Sequence, residues 1–105
     1  MISFELVPRD SVSLTEELEL LRGNFGEVDL INIPDLPRFE MRSWEGCALA
    51  RRYFSQVVPH IRARDIDPDR PLPMAGFMRE HGIDQVLVVT GDVHPDVFFP
   101  QYNVR

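Results

Sequence analysis

The sequence alternates short β-prone runs with helical segments, and this alternation restricts the possible folds more than any other feature. The β-prone runs lie at residues 2–7, 28–33, 57–62 and 84–90. Val86 to Val89 is continuously apolar, as in a parallel strand that is buried on both faces. Strands that are separated by helices predict right-handed crossovers and a parallel sheet of the order β-α-β-α-β-α-β.

Local signals predict where the helices between these strands begin and end. Ser13-Leu14-Thr15-Glu16 fits a capping box, and Gly23 is a typical stop for the helix that follows. Ser43 can cap a second helix. The second and third helices are expected at residues 44–56 and 74–81.

Two architectures fit the alternation: a doubly wound open sheet and part of a (β/α)₈ barrel. The first strand-to-helix turn, residues 7–11, has no glycine, which disfavours a Rossmann phosphate cradle. Val93 to Arg105 is expected to be a long loop after the fourth strand. We therefore expect an α/β fold with parallel strands: residues 1–105 as a single partial (β/α)₈-barrel domain, with four βα units of which the last lacks its helix.

Composition excludes several classes of function. The net charge of −6 disfavours binding to nucleic acid or to anionic membranes, and no apolar run approaches the roughly 18 residues of a membrane span. All 11 cationic residues are arginine, so a Schiff-base or P-loop lysine is impossible. The single cysteine, Cys47, rules out an internal disulfide, and we expect a cytoplasmic protein.

Polar residues are concentrated at the carboxyl ends of the predicted strands, where parallel α/β folds place their working residues. They converge on one rim, and the set comprises Glu5, Asn32, Asp35, His60, Arg62, Asp65, Thr90 and Asp92. Their proximity predicts a binding or catalytic site at this rim.

Each of the main candidates has a structural alternative. Glu5 could be a general acid in an apolar, enclosed setting, or a solvated glutamate on an exposed strand face. His60 could carry a proton, contact a ligand or be a core histidine. Asp92 follows Gly91 and could stand at the top of the sheet, form an Asx turn or cap a helix. Cys47 suits close helix packing, and because no histidine pair has metal-site spacing, no metal site is expected.

The four strands also resemble a known family in order and spacing. Ser3-Phe4-Glu5-Leu6-Val7-Pro8 resembles the strand-one signature of methylenetetrahydrofolate reductases, a Phe-Glu pair followed closely by proline. Asp29-Leu30-Ile31-Asn32-Ile33 looks like the second strand, and Pro59-His60-Ile61 like the histidine-bearing third strand. Residues 83–92 look like the fourth strand, which ends in Gly-Asp.

The resemblance implies a (β/α)₈ barrel with FAD at the carboxyl ends of its strands. It implies the reduction of 5,10-methylenetetrahydrofolate to 5-methyltetrahydrofolate with NAD(P)H. Glu5 then takes the general-acid position, and Asp92 takes the aspartate position beside the flavin and the pterin. His60 takes a flavin-contacting position, and we expect Asn32, Thr90 and Gly91 to join it at the cofactor.

The chain also departs from the family pattern. The family often has arginine where this chain has Thr90, and threonine where it has Pro34. Strands five to eight, which carry the remaining flavin and folate contacts, are absent. We therefore expect an N-terminal fragment or a subunit of such a reductase, which forms a homo-oligomer or associates with the rest of the barrel. The alternative is a non-catalytic half-barrel assembly or binding domain.

Overall fold

Strands and helices alternate along the described part of the chain, which comprises residues 2–25, 27–90 and 101–103 of a computed structural model. The strands are β1 (Ser3–Glu5), β2 (Leu30–Ile33), β3 (Val57–Arg62), β4 (Gln85–Val89) and β5 (Gln101–Asn103). The helices are α1 (Ser11–Asn24), α2 (Ser43–Ala50), α3 (Ala75–Glu80) and a short 3₁₀ turn (Ala63–Asp65). No helix among these residues is long and apolar enough to cross a bilayer.

The strands form one sheet in the order β1-β2-β3-β4-β5, and the first four are parallel. Glu5 pairs with Asn32, Asn32 with Val58, and His60 with Leu87. A helix connects each parallel strand to the next, as expected for right-handed crossovers. The predicted α/β class is thus confirmed, and the arrangement is that of about half of a (β/α)₈-type barrel.

The carboxyl-terminal residues differ from the sequence expectation. Residues 93–105 were expected to be a loop, but Gln101–Asn103 forms β5, which pairs antiparallel with β4. Val86 lies opposite Tyr102 in this pairing. The outer edge of β4 is therefore occupied at residues 85–87 by a strand of the same chain.

The two faces of the sheet have different environments. One face packs on the three helices, and its buried apolar side chains include Ile31, Ile33, Ile61, Val86 and Val88. Leu14 and Leu18 of α1, Cys47 of α2 and Met78 of α3 complete this core. The alternate positions of the strands carry Glu5, Asn32, His60 and Arg62, which are partly or fully accessible. The polar residues of the sheet therefore share the face that no helix of the described residues covers, which is called the open face below.

The start of α1 was predicted three residues too late. The helix begins at Ser11, and Asp10 is its N-cap residue, whose carboxylate accepts a 2.7 Å hydrogen bond from the backbone N–H of Ser13. This hydrogen bond holds the pKa of Asp10 below its usual value. The capping box expected at Ser13 is wrong, because Ser13 already lies in the first turn and supplies the capped N–H.

The second helix is shorter than predicted and has a different cap. Arg42 is the N-cap residue, where Ser43 was expected, and α2 ends at Ala50 although the pattern predicted helix to Gln56. After Ala50 the backbone tightens into turns, in which the N–H of Tyr53 donates to the carbonyl of Ala50. The chain thereby reverses in time for β3 to begin at Val57.

Close packing of α2 on the sheet depends on Gly46. A Cβ atom at this position would lie 3.2 Å from two side-chain carbons of Ile33 and 3.3 Å from Cβ of Pro8. Gly76 in α3 is different, since a Cβ there would have no neighbouring atom within 4 Å. The absence of a side chain at Gly46 thus allows the close approach of α2 to β2 and to the segment that follows β1.

The two glycines give a matched test of this packing. Alanine is favoured over glycine within a helix by up to about 1 kcal/mol, so Gly76→Ala should raise the free energy of unfolding by up to that amount. Gly46→Ala should lose this gain and more, because overpacking a tight contact typically costs about 1–3 kcal/mol. Urea denaturation of both variants measures the difference, and an equal gain at both positions would show that α2 can move away from the sheet.

Candidate functional site

The open face of the sheet brings together three residues that the sequence singled out. Glu5 and Asn32 are paired neighbours on β1 and β2, and His60 lies two residues beyond Val58, the partner of Asn32 on β3. The Nε2 atom of His60 is 3.4 Å from Oδ1 of Asn32. The predicted convergence of Glu5, Asn32 and His60 is therefore present in the fold.

His60 is partly buried on this face, and its pKa is shifted. Partial burial lowers the pKa of His60 below its usual value, while the negative charge of Glu5 acts in the opposite direction. The imidazole is therefore neutral at neutral pH, with one nitrogen as a donor and the other as an acceptor. A neutral histidine can donate to or accept from a ligand that lies on the sheet.

Glu5 lies in a different environment from the one that the general-acid role requires. Its side chain is exposed, whereas the role was argued from an apolar, enclosed setting. No helix of the described residues lies over this face, and the side chain of Glu5 is exposed, so these residues supply no lid over its carboxyl group. If Glu5 acts as an acid, its enclosure must come from other residues or from the ligand.

The remaining predicted contacts lie at the end of β4. Thr90 is half-buried and lines a cavity that His60 also lines. Gly91 and Asp92 lie outside the described residues, so their predicted roles stay predictions. Leu87 and Val89, which share the open face with His60, are also half-buried and give the face an apolar border.

A buried carboxylate, Asp35, organises the loop that follows β2. Only 2% of its side chain is exposed, and its Oδ1 atom accepts a 3.0 Å hydrogen bond from the backbone N–H of Ser43. Its Oδ2 atom lies 3.4 Å from Nη1 of Arg42 and 3.9 Å from Nε of Arg62. The carboxylate thus stabilises the N-terminus of α2 and balances two guanidinium groups.

Asp35 and its two arginine partners, Arg42 and Arg62, form the Asp35 cluster. Ser43 links this cluster to the open face. Its side chain is fully buried, and its Oγ donates a 2.6 Å hydrogen bond to the backbone carbonyl of His60. Ser43 therefore does not cap α2 as expected. Its N–H donates to Asp35, and its hydroxyl donates to the backbone of β3. The start of α2 and the position of His60 are therefore held by one continuous set of hydrogen bonds.

Asp35 separates two cavities at the carboxyl end of the sheet. The first, of about 220 Å³, lies over the ends of β2, β3 and β4 and includes His60, Arg62 and Thr90 in its lining. The second, of about 440 Å³, lies between α2 and α3 and is lined partly by Trp44 and Phe77. Asp35 was predicted to lie on the rim, but its central role was not predicted, because its partners are distant in sequence.

Metal and thiol chemistry find no support among the described residues. No group of three or more His, Cys, Asp or Glu residues in this part of the chain could hold a metal ion. Cys47 is buried, and burial raises the pKa of its thiol far above the usual value. A thiol in this state is inert at neutral pH, which agrees with the packing role that the sequence predicted.

The described residues fit one part of FAD better than another. Asn32 and His60 offer hydrogen-bonding groups beside apolar side chains, which suits the edge of a flavin ring. A pyrophosphate usually binds where glycines let backbone N–H groups converge. In the described ranges the only glycine with positive φ is Gly82, at the end of α3, so no such cradle is found there.

Comparison of the chain with protein-family models, with curated proteins and with solved structures found no match. Function is therefore inferred from the residues of the site and from their geometry.

The Asp35 cluster predicts a large difference between two superficially similar ion pairs. Asp35→Ala leaves the N–H of Ser43 without its acceptor and removes a buried carboxylate that faces Arg42 and Arg62, so we expect a loss of about 3 kcal/mol in the free energy of unfolding. Asp67→Ala breaks a pair with Arg70 whose side chains are 56% and 80% exposed, and it should change little. Chemical denaturation of both variants tests this, and equal effects would refute the central role of Asp35.

The pKa of His60 predicts a pH dependence with a definite sign. Because the folded state lowers this pKa, the unfolded state binds the proton more tightly, and His60 costs stability as pH falls below its unfolded pKa of about 6.5. Glu5→Gln removes the charge that opposes this shift, so it should lower the pKa of His60 further.

NMR titration of the imidazole resonances measures this change directly. Glu16→Gln, on the exposed side of α1, is the control and should leave the pKa of His60 where it is. An unchanged pKa in Glu5→Gln would mean that the two side chains are not electrostatically coupled.

Proposed function

We propose that this chain supplies the first half of a flavin-dependent reductase of the methylenetetrahydrofolate reductase type. The observation that carries the proposal is the convergence of Glu5, Asn32 and His60 on the open face of a parallel sheet. Ligands of parallel α/β folds bind at the carboxyl ends of the strands, which is where these three residues lie. The proposed reaction comes from the resemblance of the strand motifs. The sheet geometry supports it because the three residues share one surface.

In this proposal, Asn32 and His60 bind and orient the cofactor. In their 3.4 Å contact Nε2 of His60 donates to Oδ1 of Asn32, so Nδ1 of the neutral ring can accept a hydrogen bond from a donor on a heterocycle. FAD, when bound, supplies hydride transfer from NAD(P)H to the folate. The hydrogen bond from Ser43 to the carbonyl of His60 holds β3, so that the imidazole keeps its position.

Glu5 is the proton donor to the folate in this proposal. It stands on β1 next to Asn32, at the side of the sheet away from β4. Protonation of a folate ring nitrogen would open the five-membered ring and prepare the carbon for hydride. Because Glu5 is exposed here, the second half of the barrel has to cover it and give it the apolar surroundings that keep a carboxyl group protonated.

A second candidate function is a non-catalytic binding domain. The antiparallel pairing of β5 with β4 favours it, because this strand occupies the edge where a fifth barrel strand would pair. A sheet whose edge is covered in this way is protected from pairing with other chains. The two candidates differ in whether the open face binds a flavin.

Flavin binding by the 105-residue chain tests the proposal directly. We expect weak binding, since only part of the cofactor's contacts are available, and we expect the backbone resonances of Asn32 and His60 to shift during an NMR titration with FAD. His60→Ala should weaken binding about fivefold or more, the value of one hydrogen bond, while His81→Ala, at the C-cap of α3, should not change it. Shifts confined to other surfaces would refute the proposal and favour the binding-domain alternative.

The role of Glu5 is tested in the reductase that the complete barrel would form. Glu5→Gln keeps the shape of the side chain and removes the acid, so folate reduction should fall by about 10²–10⁴-fold. Bleaching of the flavin absorbance by NAD(P)H needs no such acid and should stay within a few-fold of wild type. A parallel loss of flavin content and of both reactions would indicate a structural role for Glu5.

A further inference from the structure

The cavity of about 440 Å³ between α2 and α3 has the size and the walls of a small-ligand site. Its apolar lining consists of Trp44 on α2, Phe77 on α3, and Pro73 and Met74, which precede α3. Ligand sites are typically apolar or aromatic clefts of roughly 300–1,000 Å³ with a few polar groups. This cavity lies at the lower end of that range, which suits a single ring with a short side chain.

The guanidinium of Arg42, which also lines the cavity, is engaged by the loop before α2. Its Nη1 atom is 3.4 Å from Oδ2 of Asp35, and its Nη2 atom donates to the backbone carbonyls of Leu36 and Phe39. Asp35 in turn accepts a hydrogen bond from the backbone N–H of Ser43. These two side chains hold the loop and the start of α2, so the polar recognition of a ligand falls to the other residues of the lining.

Two carboxylates in the lining, those of Glu45 and Asp65, each have one oxygen that is available to a ligand. Glu45 uses Oε1 to accept a 2.8 Å hydrogen bond from the backbone N–H of Arg42, and Asp65 uses Oδ2 to pair with Nε of Arg62 at 2.9 Å. Within the described ranges, Oε2 of Glu45 and Oδ1 of Asp65 make no hydrogen bond or ion pair. Ionised carboxylates only accept hydrogen bonds, so a ligand has to bring the donors.

The charges around the cavity favour a cation. Asp35 and Asp65 are balanced by the two arginines of the Asp35 cluster. The carboxylate of Glu45 is different, because its contact within the described part of the chain is with a backbone N–H and not with a cation. One negative charge is therefore in excess, and the partial positive charge at the start of α2, about half an elementary charge, offsets only part of it.

We propose that this cavity binds a primary ammonium group that a short chain joins to an aromatic ring. The ammonium donates to the available oxygens of Glu45 and Asp65, and the ring packs against Trp44 and Phe77. An ammonium group has three N–H donors for these acceptors, and aromatic side chains attract cations to their faces. The cavity lies between two helices and not on the open face, so this site goes beyond the proposed flavin-dependent function and needs no cofactor.

Phenethylammonium is the probe for this site, and the fluorescence of Trp44 is the measurement, because the chain has no other tryptophan. Titration of the wild-type chain should change the emission saturably. Phenethyl alcohol has a similar shape without the charge, and it should bind at least about tenfold more weakly, as expected for the loss of charge-assisted hydrogen bonds. Ethylammonium, which has the charge without the ring, should also bind more weakly.

Glu45→Gln tests the charge while keeping the start of α2. Glutamine retains an oxygen that can accept from the N–H of Arg42, and it is as suitable as glutamate at this position of a helix. The variant should bind phenethylammonium about tenfold more weakly. Glu80→Gln, at the exposed end of α3 and outside the cavity lining, is the control and should bind like the wild type.

Phe77→Leu tests the aromatic wall independently of the charge. Leucine keeps an apolar side chain on α3 but removes the ring, so phenethylammonium should bind about threefold more weakly or worse, the value of one aromatic contact. Binding of ethylammonium, which has no ring to lose a contact, should change less than this.

The outcomes separate this proposal from its alternatives. The absence of a saturable change in emission would overturn it, and so would equal binding of phenethylammonium and its alcohol or undiminished binding by a folded Glu45→Gln variant. Phenylpropionate, an anion, binding as tightly as phenethylammonium would overturn the preference for a cation. Ethylammonium binding as tightly would overturn the aromatic part. None of these results bears on FAD binding, which is followed at Asn32 in a separate titration.

Discussion

The carboxylate of Asp35 is the interaction on which the carboxyl end of this sheet depends. Asp35 follows β2 in the sequence. Its carboxylate accepts a hydrogen bond from the backbone N–H of Ser43, the first residue of α2, and pairs with Arg62, the last residue of β3. A buried charge is tolerated only where partners replace its hydration, and here a backbone N–H and two guanidinium groups do so. One carboxylate thereby connects the loop after β2, the start of α2 and the end of β3, at the rim where ligands of parallel sheets bind.

The same cluster determines what the open face can present. Through Ser43, the Asp35 cluster reaches the carbonyl of His60, and through Arg62 it reaches the cavity beyond that residue. Buried ion pairs contribute little net stability compared with apolar packing, so their effect is better understood as fixing geometry. His60 and Arg62 lie two residues apart on β3 and therefore share one face of the sheet. Ser43, at the start of α2, holds the backbone at His60, and Asp35, in the preceding loop, holds the guanidinium of Arg62.

The sequence predicted the parallel sheet because apolar periodicity is a strong signal, and Val86 to Val89 is its clearest instance. It failed at the helix starts, since Asp10, Ser11 and Ser13 can all cap a helix and only the tertiary fold selects among them. It failed at β5, whose three residues carry no apolar pattern. It placed Asp35 and Arg62 on the rim, but their pairing is a long-range contact that local patterns do not encode.

A catalytic role for Glu5 on the open face conflicts with the pairing of β5 at the edge of β4. An acid at Glu5 needs an apolar cover, and in a barrel that cover comes from further strands that extend the sheet beyond β4. The edge of β4 offers one set of N–H and C=O groups at residues 85–87, and β5 already pairs with them in the antiparallel direction. A parallel fifth strand and β5 therefore exclude each other at these residues. It follows that a complete reductase barrel requires β5 to leave this edge, whereas a binding domain retains it, so the pairing of Val86 with Tyr102 distinguishes the two states of the fold.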